Sequence, residues 1–142
     1  MLCDVNVLLA LVTDRHACHA AAVRWLDGVP AGEATICRIA QTGLLRLLHN
    51  PAVMREDVLD TTACWDLWRR LLEDERVRFT PTEPPGLDVA FERFTSGSAF
   101  TPRLWTDAYL AAYAQTSELT LVTFDQGLRQ FDSLACHVIE PG

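Results

Sequence analysis

Short apolar runs alternate along this chain with longer stretches whose apolar residues recur at helical spacing. Met1–Cys3, Ala34-Thr35-Ile36-Cys37, Val77-Arg78-Phe79, Leu119–Thr123 and Cys136–Ile139 are brief and rich in apolar or β-branched residues, so they read as five strands. Val7–Val12, His16–Leu26, Arg38–Leu48, a segment capped by Thr61 or Thr62 and running to about Asp74, Leu87–Phe94, and Leu104–Ser117 read as helices. Gly28 with Pro30, Asn50 with Pro51, and the group Pro81, Pro84, Pro85 and Gly86 supply the breaks. Residues 51–60 read as a loop or short helical turn, and Thr95-Ser96-Gly97-Ser98 as the most flexible stretch. Strands alternating with helices predict an α/β fold: a central parallel five-stranded sheet with right-handed crossovers and helices around it. With 142 residues and no internal repeat, residues 1–142 are expected to form one domain with a real core.

Composition narrows the function more than the fold. The net charge of −7 argues against broad, non-specific nucleic-acid binding but leaves room for a small site served by a few arginines. All twelve basic residues are Arg, which removes every mechanism that needs a lysine. Five scattered cysteines form no CxxC pair and read as small buried apolar residues. No apolar run is long enough to span a bilayer, and the N-terminus lacks a basic signal-peptide region, so a cytoplasmic location is expected.

The chemistry lies in acids placed at corresponding points. Asp4 follows the first strand, Asp125 follows the fourth, and Asp107 lies in the first turn of the helix that leads into the fourth. A crossover helix runs antiparallel to its strands, so its N-terminus lies at the edge where the strands end. The same argument brings Gln41, in the helix Arg38–Leu48, to that edge. Asp4 alone is either a helix cap or a ligand, and three separate caps would also account for the three acids. Their joint placement favours a metal site. Clustered carboxylates repel and raise one another's pKa, and a hard divalent cation such as Mg²⁺ or Mn²⁺ relieves this.

Four blocks carry a resemblance: Leu2-Cys3-Asp4-Val5-Asn6-Val7-Leu8, Gln41-Thr42-Gly43-Leu44-Leu45-Arg46-Leu47-Leu48, Trp105-Thr106-Asp107-Ala108-Tyr109-Leu110-Ala111, and Thr123-Phe124-Asp125. In this order, over nearly the whole chain, they resemble a PIN-domain ribonuclease, specifically the toxin of a VapBC-type toxin–antitoxin pair. The resemblance implies metal-dependent cleavage of RNA, with Asp4, Asp107 and Asp125 holding Mg²⁺ or Mn²⁺. It also implies a homodimer and a small antitoxin that blocks the site. The family pattern usually has Glu where this chain has Gln41, and an amide carries no charge and is a poor base. A PIN-like protein that only binds RNA or a partner is therefore an alternative. An aspartate-dependent phosphatase is a weaker one, because such enzymes usually use a lysine.

Around the acids, Asn6 and Thr123 are candidates to hold the carboxylates, with local capping or strand-end filling as their plainer roles. Arg103 and Arg46 are candidates for RNA phosphate, Arg103 the stronger because it precedes the Asp107 helix. His16 and His19 are three apart, as a metal pair would be, but no third ligand is evident and a solvated face is the better reading. His49 and His137 carry no signal. Trp65 and Trp68, three apart, read as core or a partner groove, core being the safer reading.

Overall fold

Three of the five strands are apolar without alternation because they are covered on both faces, as parallel strands flanked by helices are. In the computed structural model, which describes residues 1–97 and 99–142, β1 (Leu2–Cys3), β2 (Ala34–Cys37) and β4 (Leu121–Thr123) are buried at every position. β3 (Val77–Thr80) and β5 (Cys136–Val138) form the less buried edges. The order is β3-β2-β1-β4-β5 and every pairing is parallel. The chain builds outward from β1 to β3, then returns to the other side of β1 for β4 and β5. The switch point, where α/β sheets open a crevice for ligands, therefore lies between β1 and β4.

The helices are α1 (Val5–Val12), α2 (His19–Asp27), α3 (Arg38–Leu48), the single turn α4 (Pro51–Met54), α5 (Thr61–Leu72), α6 (Leu87–Thr95) and α7 (Trp105–Thr116). Each expected helix is present, and α3 has the bounds read from its sequence. Other ends differ for identifiable reasons. α1 starts two residues early because the Asp4 carboxylate accepts from the Val5 N–H. α2 starts at His19, not His16, because residues 13–18 form a turn: the His16 N–H donates to the Thr13 carbonyl and the His19 N–H to that of His16. α5 is capped by Asp60, whose Oδ1 accepts from the Ala63 N–H at 2.8 Å, rather than by either threonine. β4 starts at Leu121, because the Leu119 N–H turns back to the Ala114 carbonyl. Of the expected flexible stretch at residues 95–98, Ser98 lies outside the described residues, while Thr95 and Ser96 bond back onto α6.

One core surrounds the sheet, with Leu2, Leu8, Ile36, Leu44, Leu48, Leu110 and Leu121 almost inaccessible. Trp68 belongs to it, edge-on to Phe79 with ring centroids 5.2 Å apart. Trp65, also expected in the core, is instead 45% exposed on the outer side of α5. The cysteines are all free, three of them buried. No helix among the described residues is long and apolar enough to cross a membrane.

Candidate active site

The β1–β4 register builds the site. Cys3 pairs with Val122, so Asp4 and Thr123, one residue further on, leave the sheet side by side. The Asp4 N–H continues the ladder to the Val122 carbonyl at 2.9 Å while the Asp4 carbonyl accepts from Val7 and Leu8. Asp4 is thus the last residue of the ladder and the cap of α1. Its carboxylate is divided accordingly: Oδ1 accepts from the Val5 N–H at 2.6 Å and Oδ2 from the Thr123 hydroxyl at 2.6 Å. Cap and site residue are the same group.

Thr123 is fully buried and uses all the bonding capacity of its hydroxyl. It donates to Asp4 and accepts from Asn6 Nδ2 at 3.0 Å and from the Asp125 N–H at 3.0 Å. Asn6 also accepts from the Phe124 N–H through Oδ1. One hydroxyl and one amide therefore tie the start of α1 to the segment after β4; Thr123 bonds the Asp4 carboxylate, and the Asn6 side chain bonds Thr123. Asp125 caps the 3-10 turn Gln126–Gln130, its Oδ1 accepting from the Gly127 N–H at 2.7 Å.

The carboxylate of Asp107, the third residue of α7, makes no hydrogen bond among the described residues. Burial pushes its pKa up to about 6, the Asp4 and Asp125 charges add to the rise, and Arg103 opposes it. The Asp4 carboxyl is also raised, chiefly by burial, against the bonds from Thr123 and Val5. Asp4, Asp107 and Asp125 line one cleft of about 440 Å³ together with Val5, Asn6 and Thr106.

Gln41 does not join them. It is buried, and Arg38 Nη1 donates to its Oε1 at 2.6 Å. The face of α3 that lines the cleft carries Ile39, Thr42, Gly43, Arg46 and Leu47. These recur at helical spacing, and Gln41 lies about 160° round the helix from Ile39. The first turn of α3 thus lies at the expected edge, but Gln41 points away from the cleft, towards Arg38. Arg46 does reach the cleft, whereas Arg103 stays exposed outside it, near enough to Asp107 to act on its charge.

His16, expected on a solvated face, is instead part of the cleft. It lines the cleft from the turn after α1. It forms no metal pair with His19, whose Nδ1 meets the Ala10 carbonyl at 2.7 Å. The signal that distinguishes them, the start of α2, was not legible without a cap in the sequence.

The donor set suits a hard cation: carboxylates in an open cleft, one of them free of hydrogen bonds and held at a raised pKa. Among the described residues no three His, Cys, Asp or Glu side chains stand close enough to share one ion as they lie. A divalent cation there would be held by these acids singly or in pairs and would keep waters in the rest of its shell, as Mg²⁺ usually does.

Nearly the whole chain is similar to known proteins. The model of the PIN domain matches residues 1–134. The chain is 35% identical over 143 residues to Ribonuclease VapC41 of Mycobacterium tuberculosis, covering 98% of each protein. It is 33% identical over 131 residues to Ribonuclease VapC29 of the same organism, covering 90% of this chain and 87% of that one. Among solved structures, the fold resembles that of M. tuberculosis VapC20, described as a Sarcin-Ricin loop cleaving toxin, with a TM-score of 0.68 at 17% identity over 91% of this chain and 92% of that one. It also resembles FitAcB from Neisseria gonorrhoeae, with a TM-score of 0.65 at 21% identity over 99% and 96%. By the match of the domain model over residues 1–134 and 35% identity to a VapC ribonuclease over nearly its whole length, this chain belongs to the PIN domain family, in its VapC ribonuclease branch.

Proposed function

We propose that this chain is a metal-dependent endoribonuclease that hydrolyses RNA phosphodiester bonds at Asp4, Asp107 and Asp125, and that it is the toxin of a toxin–antitoxin pair. The observation that carries this reading is the convergence of three carboxylates from three separate segments on one open cleft. PIN-domain ribonucleases generally depend on a divalent metal, and a bound Mg²⁺ or Mn²⁺ would supply an activated water and neutralise phosphoryl oxygens. Asp107, with no protein hydrogen bond to give up, is the primary ligand. Asp4 and Asp125 each keep lone pairs beyond those used by Val5, Thr123 and Gly127. Thr123 and Asn6 hold those two acids in place, and Arg46 meets the RNA phosphate; Arg103 acts through its charge on Asp107. The whole chain, residues 1–142, acts as one nuclease domain in the cytoplasm. The exposed indoles of Trp65 and Trp105 suit a homodimer and a small antitoxin as partners.

A second reading keeps the fold and loses the chemistry. Gly43 and Thr42, not an acid, face the cleft from α3, so α3 adds no fourth carboxylate. A chain that binds RNA or a partner without cutting would look the same at this point. The absence of lysine continues to disfavour a phosphatase. The deciding experiment incubates purified protein with single-stranded and structured RNA in Mg²⁺, Mn²⁺ or excess chelator. Cleavage only with metal, lost in Asp107→Asn, supports the nuclease; equal cleavage in chelator refutes the metal mechanism, and binding without cleavage selects the second reading.

A further inference from the structure

The cleft extends beyond its acids. Val5, Asn6 and Leu9 line it from α1, and Ile39, Thr42, Gly43, Arg46 and Leu47 from α3. The acids lie towards the starts of these helices. Arg46 lies near the end of α3, and His16 just beyond the end of α1. Eight residues of α1, about 12 Å of helix, separate Asp4 from the turn that bears His16. That span is longer than the step from one phosphate to the next along a nucleic-acid strand.

The turn fixes both the backbone and the ring of His16. Its N–H donates to the Thr13 carbonyl at 3.0 Å and its carbonyl accepts from the His19 N–H at 2.9 Å. The Cys18 N–H donates to His16 Nδ1 at 3.1 Å. A backbone N–H can only donate, so Nδ1 carries no proton and the ring's N–H is at Nε2. Among the described residues Nε2 has no hydrogen-bond partner, and Arg46 has no ion pair. A fixed N–H donor and an always-charged guanidinium thus line the same cleft, both free of protein partners.

We propose that His16 and Arg46 form a second phosphodiester subsite, which binds an RNA phosphate away from the bond that is cut. This rests on the reading of the cleft as an RNA site. Arg46 offers the charge and the paired donors, and His16 Nε2 adds one directed hydrogen bond. Neither residue touches the acids' hydrogen-bond network, so the subsite contributes to holding the strand and leaves the metal-binding end unchanged.

The test uses the full chain and fluorescent, short, random-sequence single-stranded RNA, with Ca²⁺ in place of Mg²⁺, read by anisotropy. His16→Asn can still accept from the Cys18 N–H but cannot reach as Nε2 does; His16→Gln restores a terminal N–H donor. One hydrogen bond to a charged group corresponds to about tenfold in affinity. His16→Asn is expected to weaken RNA binding about tenfold, His16→Gln to recover part of this, and both to unfold at the wild-type temperature and bind Mn²⁺ as the wild type does. Arg46→Gln should weaken binding and lower the slope of log K against log salt by about one. In cleavage, the His16→Asn loss should appear in KM rather than kcat. RNA affinity and KM unchanged in His16→Asn would overturn the proposal, as would an equal loss in both His16 variants. Wild-type protein that binds RNA with this dependence on His16 but never cuts it would instead overturn the nuclease reading alone.

Discussion

Asp107→Asn should stabilise the metal-free protein while removing its activity. The substitution keeps the shape of the side chain and, since the Asp107 carboxylate makes no hydrogen bond among the described residues, breaks none. It removes a charge that the fold disfavours: burial first, then Asp4 and Asp125, lift the carboxyl from 3.8 to about 6. Taken in full, that rise is worth about 3 kcal/mol against the charged form. Solvent screening of a half-buried side chain, and the favourable dipole at the start of α7, reduce it to about 1–2 kcal/mol. For a chain of this size the gain is about 4–8 °C in Tm. The pH dependence has a definite sign. Below the unfolded value of 3.8 the carboxyl is protonated in both states and carries no penalty. The penalty grows as pH rises towards about 6 and is complete above it. The advantage of the Asp107→Asn variant over the wild type at pH 7.5 should therefore shrink to about a third at pH 4.5. Added Mn²⁺ should raise the wild-type Tm as RT ln(1 + [L]/Kd) and raise that of the variant far less. Thermal unfolding of both proteins in chelator across this pH range, then over a Mn²⁺ titration, measures all three effects. A variant no more stable than the wild type at pH 7.5 in chelator, or a gain that does not vary with pH, would refute the placement of Asp107 among repelling acids.

Single contacts at three other residues are open to equally direct tests. Thr123→Val keeps the side-chain shape but leaves Asp4 Oδ2 and the Asp125 N–H without their partner; it should cost about 1–3 kcal/mol in denaturant unfolding and lower the cleavage rate, and an unchanged rate would show that Thr123 does not position the acids. Gly43→Ala would set a Cβ 2.8 Å from Val5 Cγ2, so it should destabilise by about 1–3 kcal/mol and be largely rescued by Val5→Ala; full stability of the single variant would mean the α1–α3 contact is looser than described. Gln41→Glu places a carboxylate beside Arg38 rather than in the cleft, so Mn²⁺ affinity by calorimetry should match the wild type; tighter binding would show that residue 41 does face the acids.

Much of this protein is determined locally. The β-branched and apolar runs with breaks between them specify five strands and the crossover helices, because periodicity and the φ/ψ limits of Pro and Gly act within a few residues. The bounds of α3 are legible for that reason: a strand stops before Arg38, and Asn50-Pro51 closes the helical stretch at its other end. Alternation of strand and helix then implies a parallel sheet, and with it the edge at which Asp4, Asp107 and Asp125 lie. What tertiary structure decided is orientation. α3 buries Ala40, Leu44 and Leu48 against the core and must let Gly43 pass Val5 closely, and these contacts turn Gln41 inward to Arg38 and Thr42 and Arg46 to the cleft. An α-helix with apolar residues around much of its circumference has no single face that the sequence alone can assign to the site. Likewise the dual use of Asp4, as cap and cleft acid, depends on the β1–β4 register that brings Thr123 to its second oxygen across 119 residues of chain. His16 gains its position only when residues 13–18 close into a turn and α2 begins at His19, with no side-chain cap at Cys18 to mark that start in the sequence.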